Sequence, residues 1–471
     1  MHDGRSHSHI VADVDSEPLS LPPDELRALG HYVWDRLVDR WDALDAQPPI
    51  APADPGWSAA SIPPCPDGPS DPKAAIDELF DAILPRGQRA DHPRFFARIG
   101  SPSNPVSVLA DLIGAGHNTF AGSWTGGAGA SALELAVLDW LRTWMGMPAH
   151  TEGVLVSGGS VGTLTALAAA AHARAEDRDQ ATGYVSEHTH AAVIKAWRVL
   201  GFNPANLRVL RADPAHRLQP AAIDAAIHID REAHLTPFVV VGTAGTTSTG
   251  AADPLNDLAD LAHREDLWFH VDGAYGAPAR LTPRGADLLA GIERADSLVL
   301  DPHKWLFQPY EIGCVLTSHP GLLEHTFTLD GAYLRDTGGG VVEFRERGPQ
   351  LTRGSRALKL WLSVSTFGLD AFRAAIQTGI DLAEHAERTL DARPGWEVVS
   401  PARLGIVCFR RAGASDEATD AMVRAAIADG FAAPSTTILD GRAVARLCTI
   451  NPRTTKRDIE ETIERLETLS R

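Results

Sequence analysis

The stretch DSLVLDPHKWLF, residues 296–307, decides the fold. Its apolar run SLVL closes on Asp301, and a short turn then delivers His303 and Lys304. A run of this length bounded by turn signals predicts a buried strand, with polar chemistry gathered at its carboxyl end. LWFHVD at 267–272 has the same form and closes on Asp272. GVLVS from 153, GYVS from 183, PFVVVGT from 237 and IGCVLT from 312 are further strand candidates, alternating with helical stretches such as VGTLTALAAAAHARAED. Near-continuous apolar strands separated by helices predict an α/β fold with a mostly parallel sheet covered on both faces.

Outward from that block the pattern changes twice. Toward the amino terminus, PPDELRALGHYVWDRLVDRWDAL at 22–44 has helical periodicity opened by Pro and Asp. A Pro-rich stretch at 47–72, with Trp57 in it, then reads as an extended arm or linker, either wrapping a partner subunit or lying as a surface loop. Toward the carboxyl terminus, amphipathic helices flank strand candidates such as GIVCFRR, which predicts a second, smaller α/β domain. The expected organisation is an arm over 1–83, a large domain over 84–365 and a small domain over 366–471.

With 471 residues, 44% of them hydrophobic, the chain has enough apolar surface for more than one domain. A formal charge of −18 and the absence of Lys/Arg clusters argue against nucleic-acid binding. Cys65, Cys314, Cys408 and Cys448 lack CxxC spacing, so neither a disulfide framework nor a zinc site is expected, in keeping with a reducing cytoplasm. No apolar run is long enough to span a membrane, and the start lacks the apolar core of a signal peptide. His2, His7 and His9 are read as part of a solvated terminus rather than a metal site.

In open α/β sheets, ligands sit beyond the carboxyl ends of the strands, so the strand ends collect the candidate site. After GVLVS come Ser157, Gly158, Gly159 and Ser160, small enough for backbone N–H groups to approach an anion, although such turns also arise for steric reasons. After GYVS come His188 and His190, of which His190 suits stacking on a planar ligand. PFVVVGT leads to the hydroxyl run 246–249, and the last two strands end at Asp272 and at Asp301 with Lys304. Pyridoxal phosphate accounts for the set together. It needs a lysine for a Schiff base, a carboxylate at its ring nitrogen and a cradle for its phosphate.

HVDGAYG followed by ADSLVLDPHKWLF resembles the pyridoxal-phosphate-dependent group II amino-acid decarboxylases, the aromatic-L-amino-acid decarboxylase family. HPRFFARI (92–99), ALELAVLDWLR (132–142), TAGTTSTGAADPL (243–255) and LTRGSRALKLWLSVSTFG (351–368) extend the resemblance over most of the chain from about residue 75. It implies fold type I, with a seven-stranded type of sheet, and a homodimer whose active sites lie at the subunit interface. It also implies roles: Lys304 for the Schiff base, Asp272 at the pyridine nitrogen, His190 and Ala274 on the two ring faces. Gly159 and Ser160 would hold the phosphate, helped by His303 and Ser297, with Thr247 near the ring.

Two departures from the family pattern shape the expected activity. Arg98, Ile99 and Gly100 stand where relatives acting on aromatic substrates carry Tyr-Phe-Pro, and Gly122 replaces a phenylalanine before Ser123 and Trp124. Lost aromatic surface favours a non-aromatic amino acid or conjugate, with Trp124 as a substrate contact and Arg98 either a second one or the structural partner of a nearby acid. Counted back from RALKLW, Phe344 falls where the family carries a loop tyrosine that protonates the quinonoid, in a segment with Gly338, Gly339 and Gly340. Phenylalanine has no O–H to donate. In the family this change accompanies aldehyde synthases, which react with dioxygen to give aldehyde, ammonia and peroxide. The expected function is α-decarboxylation of an L-amino acid. The oxidative, aldehyde-forming outcome is the first alternative, and a non-decarboxylating lyase or aminotransferase the second.

Overall fold

The computed structural model describes residues 19–51, 56–329 and 340–470. His2, His7, His9, Gly338 and Gly339 lie outside them. The chain divides into two compact units, one ending at Gln88 and one beginning at Arg89. That boundary falls five residues beyond the 83/84 position read from composition.

In the first unit the predicted helix forms as Pro23–Asp42, with Pro at its start and Asp24 and Glu25 in its first turn. These residues need no donor partner or welcome the N-terminal dipole. A second helix, Pro72–Glu78, is capped by the Asp71 side chain. Arg36 ties the two together, reaching Asp77 at 2.8 Å and Asp81.

The second unit is built on a seven-stranded sheet: β1 (Glu152–Val156), β2 (Ala181–Ser186), β3 (Leu207–Leu210), β4 (Thr236–Thr243), β5 (Trp268–Asp272), β6 (Ser297–Leu300) and β7 (Gly313–Thr317). The order is β1-β7-β6-β5-β4-β2-β3, parallel except for β7, which runs against both its neighbours. Strands β5, β6 and β7 are buried along their whole length, as their unbroken apolar runs require. β3 escaped the sequence reading because it is a four-residue edge strand with half-exposed side chains.

Register aligns the strand ends. Thr243 of β4 pairs with Asp272 of β5, and Asp272 with Val299 of β6, two residues before Asp301. The helix Gly159–Arg174 starts straight after β1 and lies close on the sheet. A Cβ on its Gly162 would stand 3.0 Å from Val299.

The same unit carries a second, antiparallel sheet, β8 (Trp396–Arg403), β9 (Ile406–Arg411), β10 (Ser435–Leu439) and β11 (Arg442–Cys448), in the order β10-β11-β9-β8. β10 and β11 are joined by Asp440-Gly441, both at positive φ, the Asp-Gly pair that a tight hairpin demands. Helices Leu369–Asp391, Asp416–Asp429 and Lys456–Leu469 bury apolar faces about this sheet.

A buried ion pair locks the frame beneath the site. Arg353 and Glu134, both essentially unexposed, meet through two bonds of 2.7 and 2.8 Å. Arg353 also donates to the carbonyls of Ala121 and Leu155, while Glu134 accepts from the Leu155 N–H. One guanidinium therefore joins the helix Trp124–Trp144, strand β1 and the segment leading to the helix Ala357–Phe367. Replacing Arg353 by Met strands the Glu134 carboxylate without a cation, which costs about 3–5 kcal/mol in such settings. The thermal midpoint of Arg353→Met is expected to fall well below wild type. The double variant Glu134→Gln, Arg353→Met is expected to recover part of that loss.

Candidate active site

The carboxyl ends of β1, β2, β4, β5 and β6 open onto one cavity of about 330 Å³. Gly159, Ser160, His190, Thr247, Asp272, Ala274, His303 and Lys304 all line it, so eight residues singled out from sequence converge there.

Each is placed by a local rule. Gly159 and Ser160 open the helix Gly159–Arg174, whose first N–H groups have no partners of their own within the helix. Glycine is required at the start of this turn. A Cβ on Gly158 would come 2.9 Å from the His303 ring, and one on Gly159 2.9 Å from Asp301 and 3.1 Å from the Ala274 methyl. His190 caps the helix Ala191–Val199, its Nδ1 accepting from the Ala192 N–H at 3.2 Å, which fixes the ring at the cavity rim. In the hydroxyl run, Thr246 and Thr249 bond each other and Ser248 faces Thr437, leaving Thr247 to the cavity.

Asp272 is buried at the end of β5 and accepts the Ala274 N–H at 3.1 Å. Lys304 Nζ lies 3.0 Å from Asp301 Oδ2. His303 accepts from the Ile312 N–H, and burial holds its imidazole below the ordinary range, favouring the neutral form. Burial, with a smaller push from His216, lowers His188 in the same way, and their rings meet edge to face at 5.1 Å. Tyr275, also on the wall, stacks on Trp305 at 5.3 Å.

These residues fit pyridoxal phosphate on chemical grounds. A Cβ-free turn at a helix start suits a phosphate, and an imidazole and a small methyl group suit the faces of a planar ring. A buried carboxylate suits a pyridinium, and a lysine suits an aldehyde.

Four expectations come out differently. Ser297 does not line the cavity. It opens β6 at the far end from Lys304, roughly 13 Å along the strand from Asp301, and its Oγ is held at 2.8 Å by both Trp268 Nε1 and His270 Nδ1. Phe344 is fully buried in the turn Phe344–Glu346, where the guanidinium of Arg353 lies 5.2 Å from its ring centre, and it is not on the cavity wall. Arg98 is exposed, with its carbonyl taking a bond from Arg446 at 2.7 Å, and Trp124 bonds Glu343 through its backbone N–H. Neither reaches the cavity of its own chain. The space a side chain at Gly122 would need is taken by Phe120, which does not line the cavity either. A Cβ on Gly122 would stand 2.5 Å from the Phe120 ring, which also fills the space beside Gly126.

Asp301 and Glu311 are wall residues to which the sequence reading gave no role. Asp301 closes an apolar strand as Asp272 does, so the signal was present. Glu311 sits in a loop without periodicity, held by Arg356 at 2.9 Å, and no sequence pattern marks it.

Residues 59–412 match the family described as the pyridoxal-dependent decarboxylase conserved domain. The chain is 41% identical over 467 residues to an aromatic-L-amino-acid decarboxylase of Bacillus atrophaeus, with 97% of each chain covered. It is 29% identical to a phenylacetaldehyde synthase of Arabidopsis thaliana, with 96% of each covered. The crystal structure of Oryza sativa TDC with PLP and tryptamine superimposes with a TM-score of 0.91 at 27% identity, covering 97% of this chain and 99% of that one.

Beneath the site, His270 is wholly buried, and burial depresses it to about 4 against the opposing pull of Asp272 and the bond to Ser297. The unfolded chain protonates this histidine near its ordinary value of 6.5. The folded chain resists protonation until about 4. Its contribution to stability is therefore full above pH 6.5 and is lost as pH falls from there toward 4. Thermal midpoints measured across that window are expected to drop more steeply in wild type than in His270→Gln.

Proposed function

Because the chain belongs to the pyridoxal-dependent decarboxylase family, we propose that it removes the α-carboxylate of an aromatic L-amino acid and releases the amine. Pyridoxal phosphate, the family's cofactor, supplies an electron-withdrawing ring that stabilises the carbanion left when carbon dioxide departs. The chain's own residues do the rest. Lys304 would anchor the cofactor through its amine, and Asp272 would hold a proton on the ring nitrogen, which deepens the electron sink. Gly159, Ser160 and His303 would bind the phosphate, with His190, Ala274 and Thr247 against the ring.

One observation carries the substrate class: the chain's likeness to an aromatic-L-amino-acid decarboxylase over 97% of its length. Phe120 fills the space beside Gly122, so the glycine there leaves no gap. Arg98 and Trp124 stand outside the cavity of their own chain, which suits a homodimer whose sites are completed across the interface. The 19–88 arm suits the contact. No helix of the described residues is long and apolar enough to cross a membrane, and Cys314, Cys408 and Cys448 are buried and unpaired, which suits a reducing cytoplasm.

The amine outcome rests on the fate of the proton donor. Phe344 is buried off the cavity wall with Arg353 5.2 Å from its ring centre, which supports a reading in which its lack of a hydroxyl does not decide the product. Tyr333 lies between the helix Leu322–Phe327 and Phe344, within 330–339 and outside the described residues. We assign it the acid role that the family gives to a loop tyrosine. Aldehyde synthases among the relatives keep the oxidative outcome as the second reading.

A panel of L-amino acids, with carbon dioxide, amine, aldehyde and peroxide measured together, tests both points. Aromatic substrates are expected to give carbon dioxide and amine in equal amounts without peroxide. Keto acid or pyruvate without carbon dioxide contradicts decarboxylation, and aldehyde with peroxide from wild type contradicts the amine outcome. Tyr333→Phe is expected to lower the amine rate by roughly a hundredfold or more and to divert product to aldehyde. Phe344→Tyr is expected to leave the product unchanged.

A further inference from the structure

Asp301 is 1% exposed, yet nothing in the roles above uses it. Its Oδ2 lies 3.0 Å from Lys304 Nζ, and its Oδ1 has no hydrogen-bond partner among the described residues. The carboxylate occupies a slot made by two glycines. A Cβ on Gly313 would stand 2.8 Å from Oδ1, and one on Gly159 2.9 Å from Oδ2. Its backbone is fixed as well, the N–H bonding the Ala274 carbonyl at 3.0 Å. One carboxylate thus touches the reactive lysine on one side and the phosphate cradle on the other.

That position holds a contradiction if Asp301 keeps its charge throughout. Paired with a Lys304 ammonium it is neutralised. Once the lysine nitrogen is committed to a carbon as a neutral imine, a bare carboxylate is left buried beside a bound phosphate, an arrangement that repulsion and desolvation both oppose. The other titratable groups around it do not relieve this. His303, 3.7 Å away, is kept neutral by burial. Cys314 on β7 is held in the thiol form by burial. Asp272 and Glu311, elsewhere on the wall, are acids themselves, and the helix start at 159–161 brings none.

We propose that Asp301 is a further catalytic residue, the acceptor and store of the Lys304 proton, and that proton transfer to it couples phosphate binding to the covalent capture of the cofactor. The proposal rests on Lys304 being the anchoring lysine. The ammonium of Lys304 gives one proton to Asp301 Oδ2, leaving a neutral amine and a neutral acid. The Nζ lone pair then forms the bond to the aldehyde carbon, and the aldehyde oxygen leaves as water with the two remaining Nζ hydrogens. The neutral acid no longer repels the phosphate and has an O–H to donate to it. When a substrate amine takes over the carbon, its two hydrogens pass to Nζ, and Lys304 recovers its third from Asp301. No oxidant or reductant is needed.

The test is Asp301→Asn, which keeps the shape and removes the acceptor. Two probes separate its two contacts. Pyridoxine 5′-phosphate, which lacks the aldehyde, reports on the cradle alone. Pyridoxal 5′-phosphate, followed by its absorbance in stopped flow without substrate, reports on covalent capture. The variant is expected to bind pyridoxine phosphate as tightly as wild type or more so. It is expected to capture pyridoxal phosphate roughly a hundredfold more slowly at pH 7, with the deficit shrinking as pH rises and solvent removes the lysine proton instead. Capture at the wild-type rate and pH profile overturns the proposal. Equal losses in both probes also overturn it, since they mark a structural role.

Lys304→Ala is the control for the premise. If that variant still captures the cofactor covalently, the anchoring lysine is misassigned, a failure distinct from that of Asp301. Should Asp301→Asn not fold, wild type still decides the matter. A capture rate independent of buffer-base concentration is expected of an internal acceptor, and a rate rising in proportion to it overturns the idea.

Discussion

Two carboxylates buried at the ends of neighbouring parallel strands, with one lysine paired to the second of them, constrain this site more than any other feature. Asp272 and Asp301 close β5 and β6, whose register sets their ends side by side. An uncompensated buried charge costs several kcal/mol, and Lys304 pairs with Asp301. Asp272 is left with a backbone N–H and a face on the cavity. Among the described residues no cation pairs with it, the wall's Lys304 being taken by Asp301. A protonated pyridine ring supplies one, so the charge balance of the protein alone asks for the cofactor that the family binds.

The rest of the frame serves that arrangement. Parallel strands bring their carboxyl ends to one edge, the glycine turn at 158–159 lets the helix start come close, and the His190 cap sets a ring at the rim. Farther out, Arg353 and Glu134 pin the helix Trp124–Trp144 to β1, and Arg353 lies over the Phe344 ring. In the segment from Phe120 to Gly126, one ring takes up the room beside two glycines. A glycine at 122 is not a hole when a phenylalanine at 120 occupies the space its side chain would need.

The sheet and the convergence of Lys304, Asp272, His190 and the glycine turn were legible in the sequence because strands buried on both faces leave unbroken apolar runs. Polar residues at the ends of such runs can lie only at the sheet edge. Positions fixed by strand direction or by tertiary contact leave no such pattern in the sequence. Ser297 begins a strand whose other end forms the site, so strand direction alone excludes it. Phe344 was placed by counting through a segment without periodicity, and its fate is set by Arg353, a tertiary contact that spacing does not encode. Glu311 was invisible for the same reason, being placed by its bond to Arg356.

The central claim, that Asp272 is kept for the ring nitrogen, is tested most directly by the ¹⁵N chemical shift of ring-labelled pyridoxal phosphate bound to the enzyme. A pyridinium shift that persists well above neutral pH in wild type, and moves to that of unprotonated pyridine in Asp272→Asn, is the result expected. An unprotonated ring nitrogen in wild type at pH 7 would contradict the account.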